Sequence, residues 1–210
     1  MNSETMLMML IVLPFAGACF AALFPANARN AETWAAALVT LGTVVLSACL
    51  FPSVATGTPV RLDIEWLPTL GLSFSLRMDG FAWLFAMLVS TIGFLVVIYS
   101  RYYMSPDDAI PRFYAFFLAF MGAMLGIILS GNLILLVVFW ELTSIISFML
   151  IGYWYQKADA RDGARMSLTI TGIGGLGLLA GVAVFVLIRP GRPPAAAATD
   201  RPRDADVVRA

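Results

Sequence analysis

Six runs of predominantly apolar residues dominate this sequence of 210 residues, and they limit what it can fold into. They are Leu7–Phe24, Thr33–Phe51, Gly80–Ser100, Phe113–Ser130, Leu133–Tyr155 and Met166–Ile188. A helix needs roughly 20 mostly apolar residues to cross the hydrocarbon core of a bilayer, and each run meets that length. Composition agrees: 60% of the residues are hydrophobic and 12% charged, against about 45–50% apolar and about 25% charged in a soluble domain. The expected fold class is therefore an all-α membrane protein with about six transmembrane helices. Pro14 in the first run and the glycines of GIGGLGLLAG (Gly172 to Gly181) in the last are compatible with this, since both residues are common in membrane helices. Glycines at that density let helices approach closely and argue for a packed bundle. The first run ends in small residues, AGACFAA, as a signal peptide would, but only Glu4 and no basic residue precedes it. It is expected to be a retained helix.

Lysine and arginine in the short loops set the expected orientation. Loops after the first, third and fifth spans carry Arg29, then Arg101 and Arg112, then Lys157, Arg161 and Arg165, whereas the intervening loops carry only Arg61 and Arg77. This bias places the odd-numbered loops in the cytoplasm and the N-terminus outside. The long second connection, Pro52 to Asp79, then lies on the outer face. Its alternating stretches VRLDIEWL and LSFSLRM predict a short β-hairpin there. After Ile188 the composition changes to RPGRPPAAAATDRPRDADVVRA, with five arginines in 22 residues. That segment has no hydrophobic period and is expected to be disordered. It would also put an arginine-rich end outside, against the bias. The expected organisation is thus a transmembrane bundle over residues 1–188 and a disordered, non-native tail over 189–210, the mark of an interrupted longer membrane protein.

The chemistry available to this chain is narrow. Formal charge is zero, from 13 basic and 13 acidic residues, which gives no electrostatic footprint for nucleic acid. Cys19 and Cys49 are isolated in separate apolar runs and read as packing residues. Histidine is absent, so carboxylates are the candidates for proton chemistry within the membrane. GIGGLG (Gly172 to Gly177) resembles a dinucleotide loop only superficially, because no strand precedes it. No phosphate loop, nucleophilic triad or metal cluster is present, and neither a cofactor nor a metal is expected.

One residue stands against its surroundings. FWELTSIISFMLIGYW, Phe139 to Trp154, carries Glu141 three residues from the middle of its span, about 4.5 Å along a helix axis. Insertion scales assign an ionised acid at that depth a cost of about 2.5–3.5 kcal/mol. Three readings compete: a protonated acid that hydrogen-bonds a neighbouring helix, a half-buried residue near a re-entrant feature, or an acid facing a hydrated bundle interior where it exchanges protons. The third is preferred. Ser144 follows Glu141 on nearly the same face, with Thr143 and Ser147 on the flanks, so these hydroxyls are the candidate supporting residues. Asp79, at the start of the third span, is the remaining candidate.

FWELTSIISFMLIGYWYQ (Phe139 to Gln156) resembles the fifth-helix signature of the large antiporter-like subunits shared by Mrp-type sodium/proton antiporters and respiratory complex I. IEWLPTLGLSFSLRMDGFAWLFAMLVSTIG (Ile64 to Gly93), YSRYYMS (Tyr99 to Ser105), FMGAMLGIILSGNLILLVVFWELTS (Phe120 to Ser144) and SLTITGIGGLGLLAG (Ser167 to Gly181) resemble more particularly the A subunit of the Mrp antiporter. The resemblance runs from about Met6 to Ile188 and implies a component of a multisubunit complex in the bacterial inner membrane. That complex exchanges Na+ or K+ for protons, and its A subunit binds no redox cofactor. Glu141 aligns with the family's membrane glutamate, which is thought to work with a lysine on a later broken helix. That helix has no counterpart here, and the one lysine, Lys157, does not match it. The chain alone is therefore expected to lack antiport activity. Asp79, in the RMDG match, corresponds to a recurrent aspartate of the family, where an interfacial cap competes with a transport role. Two other functions remain: a proton-pumping membrane subunit of a complex I or membrane hydrogenase relative, and an inert membrane fragment.

Overall fold

The computed structural model describes residues 2–23, 29–67, 72–105 and 108–188. Six helices and one hairpin follow in the order α1 (Ser3–Ala22), α2 (Arg29–Ala55), β1 (Val60–Leu67), β2 (Leu72–Met78), α3 (Gly80–Tyr103), α4 (Ile110–Leu129), α5 (Leu133–Ile151) and α6 (Ala158–Ile188). A single 3-10 turn, Gly152–Trp154, closes α5. All six helices are long and apolar enough to cross a membrane. The apolar runs thus become helices, because only intra-segment hydrogen bonding satisfies the backbone in hydrocarbon. The tail from residue 189 lies outside the described residues.

Two helices extend well beyond their apolar runs, whereas α5 ends four residues before its run does. The second helix begins at Arg29 rather than Thr33 and continues through Pro52 to Ala55, so the connection is shorter than its Pro52 start implies. The sixth begins at Ala158, eight residues ahead of the apolar run, and takes Arg161 and Arg165 into its first turns. Hydrophobicity marks only what the bilayer must cover. Hydrogen bonding carries a helix further wherever polar residues favour it, and Asp159 in the first turn of α6 complements the helix dipole.

The hairpin forms where alternation predicted it. Strands β1 and β2 pair antiparallel from Val60↔Met78 to Leu67↔Leu72, with one irregularity between Glu65 and Leu67. This hairpin is fastened to the α4–α5 connection: Gly131 N donates to Ser75 O at 2.7 Å and Asn132 Nδ2 donates to Ser73 O at 2.7 Å. Asn132 also caps α5, accepting from Leu135 N at 2.7 Å. Asp79 caps α3 in the same way, accepting from Ala82 N at 2.9 Å.

These contacts give the bundle two unlike ends. The hairpin end holds the α2–α3 and α4–α5 connections with Arg61 and Arg77. The opposite end holds the α1–α2, α3–α4 and α5–α6 connections with Arg101, Arg112 and Lys157, and will be called the arginine end. Each end has its own core. Leu7, Leu10, Leu50, Leu76, Met78 and Leu125 belong to the hairpin-end cluster, and Ala36, Val97, Tyr114, Leu118 and Tyr153 to the other. Helix α4 lies at the centre, packed on α1, α3 and α5 and also touching α2, whereas α6 packs mainly on α5. Close packing uses glycine as a slot: the Phe139 ring of α5 fills the space in front of Gly126 on α4, which a Cβ would occupy.

Candidate ion-exchange site

Glu141 is the ninth residue of the 19-residue α5 and is half-buried. Its Oε1 sits in the space in front of Gly175 on α6, where any Cβ would collide with it. The indole of Trp140 borders the same slot, 3.3 Å from that Cβ position. Gly175 itself is buried. The carboxyl therefore lies in the seam between α5 and α6, at mid-span, and the glycine of GIGGLG makes room for it. Among the described residues Glu141 makes neither an ion pair nor a hydrogen bond.

The candidate hydroxyls lie close by in sequence but are turned to the backbone. Thr143 Oγ1 donates to Phe139 O at 2.8 Å, and Ser144 Oγ donates to Trp140 O at 3.1 Å. Ser144 is buried, and Ser147 is half-buried. Back-bonding of this kind satisfies the hydroxyl inside an apolar helix while its lone pairs stay free to accept. Asp79 is elsewhere. It combines its capping bond with an ion pair to Arg77 at 3.3 Å, at the hairpin end. Glu141 lies eight residues beyond the start of α5, about 12 Å from that end along the axis. Asp79 is the N-cap of α3, and the structure does not bring it to Glu141. Lys157 is at the arginine end, with its ammonium 5.1 Å from the centre of the Trp154 ring.

A second acid escaped the sequence reading. Glu32, in the first turn of α2, is fully buried, and neither carboxylate oxygen has a hydrogen-bond partner. Beside it Tyr114 OH donates to Thr33 Oγ1 at 3.1 Å and lies 3.0 Å from Ser100 Oγ. Tyr153 is within electrostatic reach of Glu32, and its hydroxyl is also buried without a partner. So is Arg112 Nε, although the same guanidinium donates to Tyr153 O at 2.7 Å and lies 4.9 Å from the Tyr153 ring centre. Each unsatisfied buried polar group costs about 1–3 kcal/mol, more when charged, so three in one place are exceptional. The apolar run starting at Thr33 left Glu32 in a loop. The signal that points to it is the helical continuity of RNAETWAAA, which draws the acid into the helix.

Bundle, hairpin and mid-span acid together define a multi-pass membrane protein with an ionisable group between two of its helices. Residues 66–114 match the family model described as NADH-Ubiquinone oxidoreductase (complex I), chain 5 N-terminus, and residues 130–189 match the one described as NADH:quinone oxidoreductase/Mrp antiporter, TM. The chain is 56% identical over 183 residues to the A/B subunit of a probable K(+)/H(+) antiporter of Rhizobium meliloti, covering 87% of this chain and 18% of that protein. It is 47% identical over 139 residues to the A1 subunit of a Na(+)/H(+) antiporter of Staphylococcus haemolyticus, covering 66% and 17%. Among solved structures, the Mrp complex from Dietzia sp. contains a chain that matches with a TM-score of 0.75 at 27% identity, over 87% of this chain and 19% of that one. The chain belongs to the antiporter-like subunit family of NADH:quinone oxidoreductases and Mrp antiporters, and its similarity is to the A subunit of the Mrp type. It spans less than one fifth of the length of these curated relatives.

Proposed function

We propose that this chain serves in a multisubunit monovalent cation/proton antiporter and that Glu141 exchanges the proton. The observation that carries the reading is the carboxyl of Glu141 seated against Gly175 between α5 and α6. An acid turned to lipid would meet acyl chains, whereas this one meets another helix of the same protein. Intramembrane acids that face a bundle interior mark ion and proton pathways. Thr143, Ser144 and Ser147 supply hydroxyls along the same stretch of α5, and Asp79 anchors α3 at the membrane boundary.

The names of the relatives support Na+ or K+ as the exchanged cation. The partners are the other subunits of an Mrp-type complex and the lipid bilayer, in the bacterial inner membrane. The arginine end faces the cytoplasm in this reading and the N-terminus lies outside, because basic loops are retained on the cytoplasmic side. No cation faces Glu141 among the described residues, so the chain requires its partners to complete an exchange cycle. Everted vesicles from cells expressing the chain with its partner subunits are expected to show Na+- or K+-dependent proton release that disappears in Glu141→Gln. Release that survives this substitution overturns the role of Glu141. Release from the chain expressed alone overturns its dependence on partners.

A second reading is favoured by the complex I description of the model that matches residues 66–114. There the same acid moves protons driven by a redox reaction in a partner subunit. Proton movement that requires a quinone reductant and ignores Na+ and K+ would select it.

A further inference from the structure

We infer that Glu32, Tyr153 and Arg112 form a hydrated proton-binding site at the arginine end of the bundle, with the Glu32 carboxylate as the group that takes up and releases the proton. Three observations converge on it. Glu32 is fully buried and both its oxygens lack a partner. Tyr153 OH and Arg112 Nε, from the turn after α5 and from α4, are likewise buried and unpartnered. Finally, Arg112 and Tyr153 form part of the wall of a cleft of about 390 Å³ that also runs between Phe148, Arg161 and Arg165. Buried polar groups left unpaired by protein are as a rule satisfied by ordered water. Here the cleft brings water to Arg112 and Tyr153; Glu32 is not among its lining residues and is reached past them.

The exchange is a simple proton transfer. A hydronium in the cleft passes a proton through the intervening water to a Glu32 oxygen, one O–H bond breaking as the next forms, so that the cleft is left with water and the reverse relay returns the proton. Through a bridging water, Tyr153 OH can donate toward the ionised carboxylate or accept from the protonated one. Arg112 stays charged throughout. Tyr114, which joins Thr33 to Ser100, ties α2, α3 and α4 together at this point and keeps the start of α2 in register with the site. Among the described residues, Tyr153 is within electrostatic reach of Glu32, Asp108 and Arg112 act in turn on Tyr153, Tyr114 bonds the adjacent Thr33, and Arg101 at the end of α3 lies over Trp34. The last turn of α1 adds no basic residue, and its Cys19 is exposed. The site does not depend on Glu141, which belongs to a different seam of the bundle.

Infrared difference spectroscopy of the full chain in nanodiscs, with its glutamates isotope-labelled, tests this directly. A protonated carboxyl band that changes with pH is expected. Glu32→Gln removes a distinct component of it, and Glu141→Gln leaves that component in place. Tyr153→Phe, which preserves the acid and the ring, is expected to shift its frequency. A pH-dependent band untouched by Glu32→Gln, or the absence of any such component, overturns the proposal. Should Glu32→Gln fail to fold, an unshifted band in Tyr153→Phe overturns it equally. Loss of cation-dependent proton release in Glu141→Gln with the Glu32 component intact separates the two acids.

Discussion

Glu141 and Glu32 are both acids within long apolar helices, yet they are held in opposite ways. Glu141 is half-buried in mid-span, and what faces it is a missing side chain: Gly175 leaves a slot and the carboxyl fills it. Glu32 is fully buried one turn into its helix, beside a Thr33 that Tyr114 bonds and within electrostatic reach of Tyr153. The first acid is accommodated by subtraction and the second by addition. A slot can be emptied or filled by sliding one helix past another, which suits the alternating exposure proposed for Glu141. In the site proposed for Glu32, side chains from α2, α4 and the turn after α5 would hold the acid in place while protons and water move.

Substitutions break this comparison with effects of very different size. Glu141→Gln keeps the shape of the slot and removes the titratable oxygen, so cation-dependent proton movement in the assembled complex should fall by at least an order of magnitude, read in everted vesicles. Gly175→Leu attacks the same slot from the other side. The added side chain displaces the carboxyl and forces α5 and α6 apart, with an expected loss of about 1–3 kcal/mol of stability in thermal melting, as for overpacked cores. Asp79→Ala removes the cap of α3 at the hairpin end. It should cost about 1 kcal/mol while leaving the infrared signals of both acids unchanged, since neither lies at that end. Tyr114→Phe is the gentlest, because it deletes only the hydroxyl that bridges Thr33 and Ser100. Hydrogen bonds between membrane helices average about 0.6 kcal/mol, so a small drop in melting temperature is expected, with a change in the Glu32 signal and none in that of Glu141.

The two acids also differ in how legible they were. Glu141 announced itself because the residues from Phe139 to Trp154 are otherwise apolar or small, and a charge in that company has a cost that must be met. Its slot partner was half visible. The glycines from Gly172 to Gly181 read as helix packing, but nothing in the sequence says which of them faces α5 or what it admits. Glu32 was hidden by its neighbours. Asn30, Glu32 and Thr33 look like a polar approach to a membrane helix, and an acid in a first turn normally faces water and the helix dipole. Its burial is decided by residues distant along the chain: Tyr114 bonds the adjacent Thr33, and Tyr153 lies within its electrostatic reach. The hydroxyls next to Glu141 show the converse limit. Their positions on the helix were readable, whereas their preference for the carbonyls of Phe139 and Trp140 depends on local geometry.

By itself the sequence determined the number of membrane helices, the hairpin from Val60 to Met78, the segregation of arginine to alternate loops, and the depth of Glu141. Hydrophobic length, period-two alternation and charge count are local properties, and each is set by residues adjacent in the chain. Tertiary structure alone decided that Gly175 receives Glu141, that Asp79 is a cap remote from it, and that Glu32 is fully buried. Those outcomes depend on which helix faces which, and with what rotation. Between helices in lipid that choice rests on small differences in close packing and hydrogen bonding, and apolar periodicity carries almost no information about them.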